Sequence, residues 1–193
     1  MSDFSIFFPM GIKHITDLNG LDHILFVAAL CLQYMINDWK KLLVLITAFT
    51  IGHSITLALS TLNIITIPQS LTEFFIAITI LITAFNNCFV KDFKFKTKYP
   101  TIYFFTLFFG LIHGLGFSTL LKSMLGKNQS IVVQLLSFNL GIEVGQLIIV
   151  AIILIVSFVL INFFRINRKL YLLFVSGGIA ALALEMAIER LPR

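Results

Sequence analysis

Ten consecutive residues, His14-Ile15-Thr16-Asp17-Leu18-Asn19-Gly20-Leu21-Asp22-His23, hold two of the chain's 4 histidines and two of its aspartates. Imidazole nitrogen and carboxylate oxygen are the donor pair that suits borderline divalent cations such as nickel or zinc. The other two histidines, His53 and His113, and the acids Glu143 and Glu185 lie inside apolar runs. An ionisable group in such a run needs a partner or a wet cavity, because lipid does not solvate it. The candidate metal ligands are therefore His14, Asp17, Asp22, His23, His53, His113, Glu143 and Glu185.

The elements that must position them follow from composition. The chain has 193 residues, 59% of them hydrophobic and 12% charged, with 21 phenylalanines. Mean hydropathy is +1.00. Soluble domains carry roughly a quarter charged residues and cannot hide so much apolar surface. The expectation is an all-α, polytopic membrane helix bundle of about six transmembrane helices, forming a single domain over residues 1–193 with the lipid bilayer as partner. The net charge of +5 is read as a topology signal and not as a nucleic-acid footprint.

Apolar runs place the crossings at about residues 20–36, 40–61, 71–90, 100–121, 131–164 and 170–188. The fifth is long enough to be either one helix or a helix broken near Gly141 and Gly145; one crossing is preferred, since each half is too short to span alone. The segments after the first, third and fifth crossings hold Lys40, Lys41, Lys91, Lys94, Lys96, Lys98, Arg165, Arg168 and Lys169, nine of the 14 basic residues. The positive-inside rule then puts both termini outside, on the periplasmic face of a bacterial inner membrane. Counted from the helix ends, His53 lies ~20 Å, His113 ~18 Å and Glu185 ~24 Å above the inner face, and Glu143 ~18 Å below the outer one. Together with His23 and Glu73 they fall between about the bilayer middle, where Glu143 lies, and the outer surface, which points to one shared polar cavity open to the outside.

Spacing refines this. Asn139, Glu143 and Gln146 share one helix face, as do Thr50, His53 and Ser54. Gly110 with Gly114, and Gly141 with Gly145, form GxxxG pairs, within one chain or in a homo-oligomer, and Gly177-Gly178 predicts a further close contact. Asn86 and Asn87 read as polar groups at a helix end, and Arg190 as pairing with a neighbouring glutamate. Phe4, Phe7, Phe8 and Pro9 predict a short interfacial piece lying at the membrane surface, with neither the basic flank nor the cleavage site of a signal peptide. Cys31 and Cys88 form no CxxC pair and read as buried free thiols.

His14-x5-Gly20-x-Asp22-His23, followed by Ile24-Leu25-Phe26, resembles the opening motif of the HupE/UreJ family of membrane proteins. The resemblance continues in residues 49–57, 109–117 and 138–146 and covers nearly the whole chain. It implies a small, roughly six-helix metal permease, nickel being the family's best-understood cargo, with His14, Asp22 and His23 at the metal entrance and His113 deeper in. Ser118 stands where the permease branch has an acidic residue, and Glu143 is the acid available to compensate.

Two function classes remain open on the residues. One is a permease or facilitator for nickel, cobalt or zinc, without a nucleotide-binding loop and so without ATP drive. The other is an intramembrane zinc-dependent hydrolase, three histidines and an acid leaving one metal position for water, acting on a lipid or lipid-linked substrate from the outer leaflet. The inner half of the bundle, with few polar residues beyond Asn86 and Asn87, is the weak point of a through path.

Overall fold

The structure is a computed structural model that describes residues 3–18, 20–90, 101–117, 121 and 131–192. Among these there are seven helices and no strands: α1 (Asp3–Ile15), α2 (Asp22–Cys31), α3 (Trp39–Thr61), α4 (Gln69–Cys88), α5 (Thr101–Gly116), α6 (Ile131–Phe158) and α7 (Arg168–Glu189). Four are long and apolar enough to cross a membrane: α3 with its leading 3-10 turn, α4, α6 with its π-helical extension Val159–Phe163, and α7. The helices α2 and α5 are apolar but shorter, so the count of six crossings is not established by length alone.

The helix ends follow local chemistry. Asp38 accepts from the Met35 backbone N–H and pairs with Lys41, so α2 ends early and α3 starts as a separate helix. Asn63, at φ 59°, takes the left-handed conformation that closes α3, a position asparagine tolerates better than most residues. The Asn167 side chain accepts from the Lys169 and Leu170 N–H groups and caps α7. Buried hydroxyls turn back on their own helices: Thr83 donates to Thr79 O, Thr106 to Ile102 O and Ser137 to Val133 O. Such bonds satisfy polar groups where no water competes. Outward faces are apolar, with Phe174 84% and Phe163 78% exposed, a surface suited to acyl chains.

Two close crossings organise the bundle. Between α3 and α5, a Cβ on Gly52 would strike the Leu107 carbonyl, one on Gly110 the Phe49 carbonyl, and one on Gly114 the His53 carbonyl. Between α1 and α6, Gly11 sits on Phe138, Gly141 on Phe8, and Gly145 on Ile12 and Ile15. Contacts advance together along both members of each pair, so each pair runs parallel. The helix α4 packs on α7, and α2 packs between α4 and α6.

Three expectations are corrected here. The amino-terminal segment is no isolated surface piece: the bare backbone of Gly11 lets α1 lie along α6, with Phe7 buried. Gly177 and Gly178 make no close contact, having nothing within 4 Å of a Cβ; Ser176, Ile179, Ala183 and Ala187 form the buried face of α7 instead. Asn87 is more than a polar helix end, because its amide nitrogen donates to Ala29 O and Ser176 Oγ while its oxygen accepts from Gln33 Nε2. Gln33 O in turn accepts from Arg168. This residue ties α2, α4 and α7 together at the end of α4 opposite Glu73. Asn87→Leu leaves those partners unpaired and is expected to lower stability by about 1–2 kcal/mol. Denaturant unfolding in detergent measures the loss, and metal affinity should not change. The fifth crossing is one continuous helix through Gly141 and Gly145, as expected.

Candidate metal centre

The close crossings deliver the histidines. His53 and His113 project beside Gly52, Gly110 and Gly114, where α3 and α5 touch. His14 closes α1 where that helix leaves α6, and His23 opens α2 after a six-residue turn. All four imidazoles of the chain meet. Ring centroids are 4.6 Å apart for His14 and His23, 6.0 Å for His23 and His53, 6.1 Å for His14 and His53, and 5.2 Å for His23 and His113. One nitrogen from each of His14, His23 and His53 lies within 4.8 Å of the others, a separation that side-chain rotation alone can close around one ion. His23, His53 and His113 are buried and His14 partly so.

Their hydrogen bonding is incomplete. His14 Nε2, His23 Nε2, His113 Nδ1 and both ring nitrogens of His53 are buried without a well-formed hydrogen bond among the described residues. An unpaired buried polar atom costs ~1–3 kcal/mol, so five in one place are not neutral packing. His113 Nε2 lies 2.9 Å from Thr79 Oγ1, while the Thr79 hydroxyl makes a shorter, 2.7 Å bond to Ile76 O. With its one proton committed to Ile76, the threonine oxygen accepts from Nε2–H. The lone pair of His113 is then on Nδ1, the unpartnered atom. A histidine fixed by its other nitrogen in this way is oriented as a ligand.

A cavity of about 130 Å³ opens beside the cluster, lined by His14, His23, His113, Asp17, Asp22 and Glu73, with Gly20, Gly116, Ile76 and Phe117. It has room for a cation with a few waters. Asp22 is held by Arg190, whose Nη1 lies 3.0 and 3.1 Å from its two oxygens. Glu73 accepts from Gln69 at 2.8 Å. Aromatic rings close the cluster on two sides. Phe117 stacks on Phe138 at 4.8 Å and lies tilted against His14 at 4.0 Å. Phe26 lies 5.0 Å from both His113 and Phe49, and 6.0 Å from Phe109.

The predicted ligands divide accordingly. His14, His23, His53 and His113 come together, and Asp17 and Asp22 line the cavity beside them. Glu143 and Glu185 do not join them. Glu143 shares its face with Asn139 and Gln146 as expected, but that face packs on α3: Glu143 accepts from Thr47, Gln146 from Thr50, and Asn139 interacts with His53. Glu185 is on the exposed face of α7. Ser118 lies outside the described residues. Arg190 pairs with Asp22 and not with a glutamate side chain. Glu73, placed in the shared cavity by depth but not among the ligands, lines it, and Thr79 escaped notice as a site residue. Its signal was the stripe Thr72, Thr79, Thr83 and Asn87, polar at helical spacing on one buried face of α4.

A family model described as HupE / UreJ protein matches residues 1–190. The chain belongs to the HupE/UreJ family. Neither the curated proteins nor the solved structures yield a match. The HupE/UreJ family is associated with metal uptake, of nickel and cobalt, and with multi-pass membrane proteins. The residues that would hold such a cargo are the four histidines, whose unpaired nitrogens are the donors that borderline transition metals take.

Proposed function

We propose that this HupE/UreJ chain is a facilitator for a borderline divalent cation, nickel or cobalt, entering from the outer side of the inner membrane. In this reading α2 and α5 complete six crossings and both termini face outward. The cation is drawn to the mouth by Asp17, Asp22 and Glu73, sheds water as His14, His23 and His53 replace it, and passes to His113. Movement is driven by the ion gradient or membrane potential. The observation that carries the proposal is the convergence of all four imidazoles with buried, unpartnered nitrogens.

Equilibrium dialysis of the purified protein against nickel or cobalt, followed by uptake into proteoliposomes, tests it. One tightly bound equivalent and saturable uptake above empty vesicles are expected. Absence of bound metal overturns the site. Binding without flux overturns transport and favours the second reading, a metal-dependent hydrolase or sensor open to one side only. The aromatic side chains of Phe26, Phe49 and Phe109 packed beside the histidines are the observation on that side.

A further inference from the structure

Arg190 ends the last turn of α7, yet its side chain reaches the start of α2, 168 positions away in sequence. There Nη1 donates to Asp22 Oδ1 at 3.0 Å and Oδ2 at 3.1 Å, and to the Glu73 backbone oxygen at 3.5 Å. Asp22 is 16% and Arg190 25% exposed, so the pair stands at the rim between cavity and exterior. The geometry is unusual for arginine. A guanidinium commonly meets a carboxylate with two nitrogens side by side, one per oxygen. Here one nitrogen sits astride both oxygens, the position a bidentate metal ion takes on a carboxylate.

We infer that Arg190 is a tethered counter-cation that competes with the arriving metal for Asp22 and sets which cations are admitted. The inference rests on the cavity being a cation site. With Arg190 in place, Asp22 is neutralised and offers little to a cation that binds through oxygen alone, such as magnesium or calcium. A metal that gains imidazole nitrogens from His14 and His23 can displace the guanidinium, because those bonds supply what the carboxylate withholds. Displacement frees the end of α7 from α2 and α4, so occupancy of the mouth is coupled to the last turn of the chain's final helix.

The test is nickel titration by calorimetry on the full chain in detergent, wild type against Arg190→Gln. The variant is expected to bind nickel roughly tenfold more tightly. Millimolar magnesium should compete with nickel in the variant and not in the wild type. In Asp22→Asn/Arg190→Gln the gain should vanish, leaving the affinity of Asp22→Asn. A structural role for the pair predicts the opposite sign, since losing the strap would loosen the mouth and weaken binding. Hydrogen exchange of the wild type keeps the question answerable if the variant misfolds: nickel should speed exchange at residues 186–190. Unchanged or slower exchange, or a folded Arg190→Gln protein that binds nickel no better than the wild type, overturns the inference. A wild type that binds no nickel overturns the proposed function, and this inference with it.

Discussion

His53→Ala is expected to abolish retention of nickel or cobalt, lowering affinity at least ~100-fold, while leaving the apo bundle folded. His53 is fully buried at 0% exposure, and among the described residues Asn139 is the one polar side chain that engages it, neither ring nitrogen making a well-formed hydrogen bond. A histidine kept for packing would be hydrogen-bonded, and its removal would leave partners stranded. Here removal gives up only the Asn139 contact and deletes two poorly satisfied ring nitrogens, which offsets part of the small cavity it creates. The apo melting temperature should therefore move little, whereas the stabilisation the wild type gains from excess metal should disappear. Elemental analysis after desalting and melting curves with and without nickel read the two effects separately. A His53→Ala protein holding the wild-type metal equivalent would remove His53 from the site.

A single methyl group placed at two different glycines should act in opposite directions. Gly110→Ala drives a Cβ into the Phe49 carbonyl, a backbone atom that cannot rotate aside. The α3–α5 crossing must then open, at a cost of about 3 kcal/mol or more. His53 and His113 project from that crossing, so metal affinity should fall with stability. Gly177→Ala meets nothing within 4 Å and should gain about 0.5–1 kcal/mol from helix propensity alone, with metal binding unchanged. Unfolding in detergent and nickel titration of both variants check the contrast. Equal tolerance at the two positions would mean that the glycine contacts do not hold the histidines in place.

Position along a helix was more legible in the residues than the direction each side chain faces. Apolar runs located α3, α4 and α7 to within two residues, because hydropathy reports how far a residue lies along a crossing. The same count put His53 and His113 at similar levels, and the two do meet at the α3–α5 crossing. What it lacked was the rotation of each helix about its axis. Glu143 turns toward Thr47, six residues before His53 on α3, whereas Glu73 lines the cavity beside the histidines. Glycine spacing marked Gly110, Gly114, Gly141 and Gly145 as close-contact positions without naming their partners, and equally good small residues at Gly177-Gly178 face outward. Nothing local in Arg190 or Asp22 indicates a pairing across the length of the chain. The docking of α1 was hidden for a related reason: its aromatic composition suits a lipid surface and a helix groove alike.

One dimension of α6 bears on how the protein answers its surroundings. With its π-helical extension the rod runs 33 residues, ~50 Å at 1.5 Å per residue, against a hydrocarbon layer of ~30 Å. A rod that long leans in the bilayer, and leans further as the bilayer thins. The helix α1 rides on it through three glycine contacts and carries His14, whereas His53 and His113 belong to the separate α3–α5 pair. Acyl-chain length thus becomes a mechanical input, swinging one imidazole relative to two others, and membranes of different thickness would tune the same four histidines differently.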